Sequence, residues 1–156
     1  MGETYSQGHT SVLVVDDDPR MAGAVARRFR LEEDFQVYTI SDVTGGSFRD
    51  RVVAFLESTR VDVLVTDVNL GDEIGFAIIH FIATAFRGSR HCPKFIVMTG
   101  KPENLDPKNG LLSHYPDVIP LIAAKHSKTA DLAELVAKIR AIAPTPETKQ
   151  HEKPTL

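Results

Sequence analysis

Three adjacent carboxylates, Asp16, Asp17 and Asp18, follow directly on the apolar run Val12-Leu13-Val14-Val15. Clustered carboxylates repel one another unless a positive charge sits among them. Three later apolar runs end on a chemically useful side chain in the same way: Val63 to Thr66 on Asp67, Phe95 to Met98 on Thr99, and Ile119 to Ala124 on Lys125. If the first and third runs are neighbouring strands, Asp16, Asp17 and Asp67 form an acidic pocket. Such a pocket suits a hard divalent cation held by carboxylate oxygens and water, with Mg²⁺ the natural occupant. A carboxylate beside such a cation can attack a phosphoryl group. The ammonium of Lys125 and the hydroxyl of Thr99 would then stabilise the charge that builds on the phosphoryl oxygens.

For these side chains to meet, the runs must be parallel strands sharing a carboxyl edge, which is where open parallel sheets bind ligands. Short apolar runs do alternate with helical patterns, five pairs in all, the signature of βαβ units around a parallel sheet. Asp18 caps a first helix with Pro19 at its first position and Met21, Ala22, Val25 and Phe29 on its face. A second strand spans Gln36 to Ile40, and a second helix spans Thr44 to Ser58 with Phe48, Val52, Phe55, Leu56 and Thr59 on one side. The third helix, Gly75 to Arg87, carries two neighbouring apolar stripes that include Phe76 and Ile79 on one and Ile78, Phe81 and Ile82 on the other. That exceeds what one core-facing side requires; deep burial explains it, and a homodimer face is the alternative. Pro102, Pro107, Pro116, Pro120 and Gly110 crowd the next connection, leaving room for at most a short helix over Pro107 to His114. A last helix carries Leu132, Leu135, Val136, Ile139 and Ile142 after the cap candidate Thr129.

A chain of 156 residues, 42% apolar and 25% charged, fits one soluble domain. The pattern divides it into a flexible segment over 1–10, a domain over 11–142 and a flexible tail over 143–156, which holds three prolines and no apolar periodicity. A net charge of -3 and the lack of a groove-reading motif argue against nucleic acid as a partner. No stretch has the length of a membrane span, and the polar start lacks an apolar targeting region, so the expected location is the cytoplasm. The lone Cys92 rules out an internal disulfide and reads as a small buried apolar group. The six histidines lack metal-ligand spacing, and His80 on the third helix reads as a surface or half-buried residue. Gly100-Lys101 lacks the upstream glycine of a nucleotide-binding loop.

Taken together, these residues resemble the receiver domain of two-component response regulators, of the single-domain type, over roughly 11–142. The resemblance rests on Asp16-Asp17 after the first strand, Asp67 within Thr-Asp-Val-Asn-Leu-Gly-Asp-Glu-Ile-Gly, Thr99 within Val-Met-Thr-Gly, Lys125, and the Gly75 that closes the loop after Asp67. It implies a flavodoxin-like (βα)5 fold, a five-stranded parallel sheet in order 2-1-3-4-5 with helices on both faces. It implies that Asp67 accepts a phosphoryl group, with Thr99 and Lys125 assisting. Mg²⁺ would be bound directly by Asp17, Asp67 and the backbone carbonyl of Asn69, and by Asp16 mostly through water. The donor would be a histidine kinase or histidine phosphotransfer protein docking near the first helix. Output would be contact with a downstream protein through the fourth and fifth strand-helix region. Such a protein catalyses only its own phosphorylation and dephosphorylation.

The chain departs from the usual pattern at several positions. Gly71 stands where the family usually has proline, which should loosen the loop. His126 rather than proline follows Lys125, so a trans bond is expected, a cis non-proline bond costing roughly 2.5–4 kcal/mol. Ile122 occupies the place, three residues before Lys125, of an aromatic that turns inward on phosphorylation. Lys101 lies where the family tunes phosphoryl lifetime. Two other functions compete. Asp16-Asp17-Asp18 also fits the Asp-x-Asp motif of haloacid-dehalogenase-like phosphatases, with Asp16 as nucleophile and Asp18 as acid, but no acidic motif follows the lysine strand and Asp67 is left idle. A receiver-like scaffold without phosphorylation would leave the complete acidic set unexplained.

Overall fold

The computed structural model describes residues 8–42, 44–89 and 91–144. The expected flexible segment over 1–10 and tail over 143–156 fall for the most part outside the described residues. Five strands form one parallel sheet: β1 (Thr10–Val15), β2 (Phe35–Ile40), β3 (Val63–Asp67), β6 (Lys94–Thr99) and β7 (Ile122–Ser127), in spatial order β2-β1-β3-β6-β7. Between β3 and β6 lies a small antiparallel hairpin, β4 (Asn69–Leu70) with β5 (Glu73–Ile74). Counting only the five strands of the large sheet, the order is 2-1-3-4-5, the flavodoxin-like arrangement.

The central strands are apolar on both sides because both sides are covered. Val12, Val14, Val63, Val65, Ile96 and Met98 pack with Ala22, Val25 and Phe29 of α1 (Pro19–Arg30) and Leu135, Val136 and Ile139 of α4 (Leu132–Ile142). Leu13, Val15, Leu64, Phe95 and Val97 face the other way, toward Phe48, Val52 and Leu56 of α2 (Phe48–Ser58) and Phe76, Ile78, Ile79 and Ile82 of α3 (Gly75–Ala85). Strand alternation thus sends successive side chains into two separate cores.

Helix starts follow local chemistry. Asp18 accepts the Arg20 amide as the cap of α1, with Pro19 in the first turn. At α4 the cap is Asp131, which accepts the Ala133 amide, rather than Thr129. The second helix begins at Phe48, not Thr44, because Ser47 accepts the Asp50 amide and sets the start there. Both apolar stripes of α3 are used: Phe76, Ile78, Ile79 and Ile82 are buried in one cluster, whereas Phe81 remains 40% exposed under the Arg49 guanidinium. His80 is exposed, and Cys92 is half-buried rather than fully enclosed.

The fourth connection holds three short 3-10 turns, Pro102–Leu105, Leu111–His114 and Ile119–Leu121, where a helix would otherwise stand. Its prolines and Gly110 limit regular helix, yet Leu112 and Val118 are buried in the same cluster as α3, and the Tyr115 ring lies 5.6 Å from that of Phe76. The turn at Ile119–Leu121 has a further consequence. The apolar run from Ile119 to Ala124 is not one strand; β7 starts at Ile122 and ends at Ser127, three residues beyond Ala124.

Candidate phosphoryl-acceptor site

At the carboxyl edge of the sheet, β1 delivers Asp16 and Asp17 beside the end of β3, with Val15 in register with Thr66. Oxygens of Asp16, Asp17 and Asp67 lie within 4.8 Å of one another. Asp16 is fully buried and Asp67 5% exposed, so neither charge is well screened by water. Asp16 Oδ1 accepts the Asp18 amide at 2.8 Å, which turns the chain into α1. Asp17 Oδ2 accepts the Gly71 amide at 3.1 Å, and Asp67 Oδ1 receives the Asn69 amide at 3.4 Å. Burial, and secondarily the Asp16 charge, raise the Asp67 carboxyl above its ordinary value, although its hydrogen bond from Lys128 pulls the other way.

The positive charge at this cluster belongs to Lys128. Its ammonium donates to Asp67 Oδ2 at 2.7 Å and forms an ion pair with Asp16 Oδ2 at 2.9 Å. Burial lowers the Lys128 ammonium, but its bonds to Asp67 and Asp16 outweigh that and raise it overall. Lys125 is not at the cluster: it is exposed, in register with Val97, and its ammonium reaches the Leu105 carbonyl at 3.3 Å. The physical reason is the late start of β7. Thr99 pairs with Ser127 at the strand end, and the Lys128 amide continues the ladder to the Thr99 carbonyl at 2.9 Å. Ser127 ends β7 and Asp131 caps α4, so Lys128, Thr129 and Ala130 form the loop between them.

With Lys128 in that place, Thr129 rather than His126 follows the lysine, and Lys125 rather than Ile122 stands three residues before it. The described residues include no cis peptide bond, so Lys125-His126 is trans as expected. Thr99 is buried at the end of β6, where its hydroxyl oxygen accepts the Lys101 amide at 3.0 Å. Asn69 opens β4, two residues after Asp67 at the end of β3. Gly71 has φ of +63°, a conformation closed to proline, whose ring fixes φ near −65°. The hairpin therefore replaces the looseness expected there with a defined turn. Gly75 is required for close approach: a Cβ on it would overlap the Asp67 carbonyl oxygen.

A hard divalent cation fits this donor set, since three carboxylates from two strands converge, and an ammonium already answers part of their charge. Asp18, by contrast, is committed to the α1 cap, and Asp16 is sealed from solvent, an arrangement unlike a nucleophile and acid pair.

No sequence-family profile and no curated protein matches the chain. Solved structures do match, and many are response-regulator receiver domains. The CheY-like receiver domain protein of Methanospirillum hungatei is 19% identical, with a TM-score of 0.65 over 93% of this chain and 98% of that one. The receiver domain of a putative LuxO repressor protein from Vibrio parahaemolyticus gives 0.68 at 13% identity, over 94% and 99%. The response regulator TrrA of Thermotoga maritima, solved in complex with Mg²⁺ and BeF, gives 0.62 at 17% identity, over 85% and 98%. The chain has the receiver-domain fold. Among the described residues no helix is long and apolar enough to cross a membrane.

Proposed function

We propose that this chain is a phosphoacceptor of histidine-to-aspartate signalling, with Asp67 taking the phosphoryl group. The observation that carries the assignment is the Lys128 ammonium seated between Asp67 and Asp16 at the carboxyl edge of the sheet. Asp67 supplies the attacking oxygen; its bond to phosphorus forms as the phosphorus–nitrogen bond of a phosphohistidine breaks, and the donor imidazole keeps the electron pair. Asp16, Asp17, Asp67 and the Asn69 carbonyl are the proposed Mg²⁺ ligands, and the cation, when bound, supplies charge neutralisation for the phosphoryl oxygens. Lys128 holds the charge on one oxygen and Thr99 donates its hydroxyl to another. The donor is a histidine kinase or phosphotransfer protein, output is contact with a downstream protein, and the setting is the cytoplasm.

Acetyl phosphate with Mg²⁺ should add one phosphate to the wild-type chain, measured by intact mass. Asp67→Asn should remain unlabelled; a label that persists in this variant rejects the assignment. Turnover of a generic phosphate ester abolished by Asp16→Asn would instead restore the phosphatase alternative.

A further inference from the structure

Glu73 lies in β5 opposite Leu70, yet its carboxylate reaches α2. Glu73 Oε2 accepts the Phe48 amide at 2.7 Å and Oε1 the Arg49 amide at 3.0 Å. Phe48 and Arg49 are the first two residues of α2, and their amides have no partner inside the helix. Ser47 takes the third of these amides, that of Asp50. A carboxylate at this end also answers the positive pole of the helix. The same hairpin carries Asn69 in its first strand and Gly71 at its tip, where the Gly71 amide holds Asp17. An isolated two-stranded hairpin is marginal in water, and this one has two residues per strand. Leu70 is buried, Ile74 packs against the same core, and Glu73 adds the bridge from the hairpin to α2.

We propose that Glu73 is a positioning residue for the cation site: it ties the β4–β5 hairpin, and with it Asp17 and Asn69, to the first turn of α2. The inference rests on the phosphoacceptor assignment for the identity of the site. Glu73 touches no acidic cluster residue itself; it acts through the hairpin. Coupling of this kind is reciprocal, so a cation that fixes Asp17 and Asn69 also tightens the Glu73 bridge and is felt at Phe48 and Arg49.

The test is a Mg²⁺ titration of the full chain followed by amide NMR, on wild type, Glu73→Gln and Ser47→Ala. In wild type the Phe48 and Arg49 amides should shift with the same midpoint as those of Asn69 and Gly71. Glu73→Gln should weaken Mg²⁺ binding by about tenfold, the effect typical of losing an outer-sphere support, and abolish the shift at Phe48 and Arg49. Ser47→Ala removes the other cap of α2 without touching the hairpin, so it should lower the melting temperature and leave Mg²⁺ affinity unchanged. Equal affinity in wild type and Glu73→Gln, an equal loss in Ser47→Ala, or unmoved Phe48 and Arg49 amides in wild type each overturns the inference while leaving the phosphoacceptor assignment standing. Failure of the wild type to bind Mg²⁺ at all overturns both.

Discussion

The Lys128 ammonium lies 2.7 Å from Asp67 Oδ2, and the same nitrogen is 2.9 Å from Asp16 Oδ2. One cation therefore holds the proposed acceptor and its buried neighbour together. Two carboxylates this close and this poorly solvated would otherwise repel, so the ammonium does electrostatically what a bound metal ion would share.

Replacing Lys128 with alanine should lower stability by about 2 kcal/mol, because a charge-assisted bond is lost and Asp16 stays buried without it. The variant should bind Mg²⁺ more tightly, since the competing ammonium is gone, and label more slowly with acetyl phosphate. Lys125→Ala should leave stability within about 0.5 kcal/mol and labelling at the wild-type rate. Denaturant melts and labelling time courses on the two variants decide between the lysines.

The Asp67 carboxyl should impose a pH dependence. Burial first, and the Asp16 charge after it, raise the Asp67 carboxyl in the folded state. The folded protein thus binds that proton more tightly than the unfolded chain, and ionisation of Asp67 costs stability as pH rises from the ordinary carboxylate value through the raised one. Asp67→Asn should accordingly melt higher than wild type at neutral pH without metal. The margin should vanish near pH 4, where the unfolded carboxyl also takes up its proton. Saturating Mg²⁺ should reduce the margin at neutral pH.

Gly75→Ala should destabilise by about 1–3 kcal/mol, because a Cβ there overlaps the Asp67 carbonyl oxygen and Thr66 packs beside it. The displaced carbonyl belongs to Asp67, the proposed acceptor, so labelling should slow as well. Chemical denaturation and acetyl phosphate labelling of the variant check both effects.

Gly71→Pro would install the residue common among receiver domains at this position, but here it should be harmful. The ring cannot adopt φ of +63° and removes the amide that Asp17 accepts. A loss above about 1 kcal/mol is expected, together with weaker Mg²⁺ binding, read by melts and by titration.

Thr99→Ala removes the acceptor of the Lys101 amide inside a buried turn. It should cost about 1 kcal/mol, and Thr99→Ser, which keeps the oxygen, should recover most of it in the same melts.

Local rules make much of this protein legible in its sequence. Asp16, Asp17 and Asp67 were visible because each ends an apolar run, and period-two burial on both faces requires that such runs be central strands with a shared edge. Asp18 and Pro19 marked the start of α1 through a bond spanning two residues, and the stripes of α1, α2 and α4 were helical spacing alone. Lys128 was hidden because hydrophobicity does not distinguish a strand from a 3-10 turn. Ile119-Pro120-Leu121 looks continuous with β7, and only the pairing of Thr99 with Ser127 shows that the strand ends beyond Lys125. Glu73 was hidden for a different reason. Its partners lie 25 and 24 residues earlier in the chain, and no periodicity joins a hairpin to the start of a helix. Residue types and local spacing determined the strands, the caps and the carboxylates. The tertiary structure alone decided which lysine meets them and what braces their hairpin, because strand register and long-range hydrogen bonds depend on packing across the sheet rather than on neighbours in the chain.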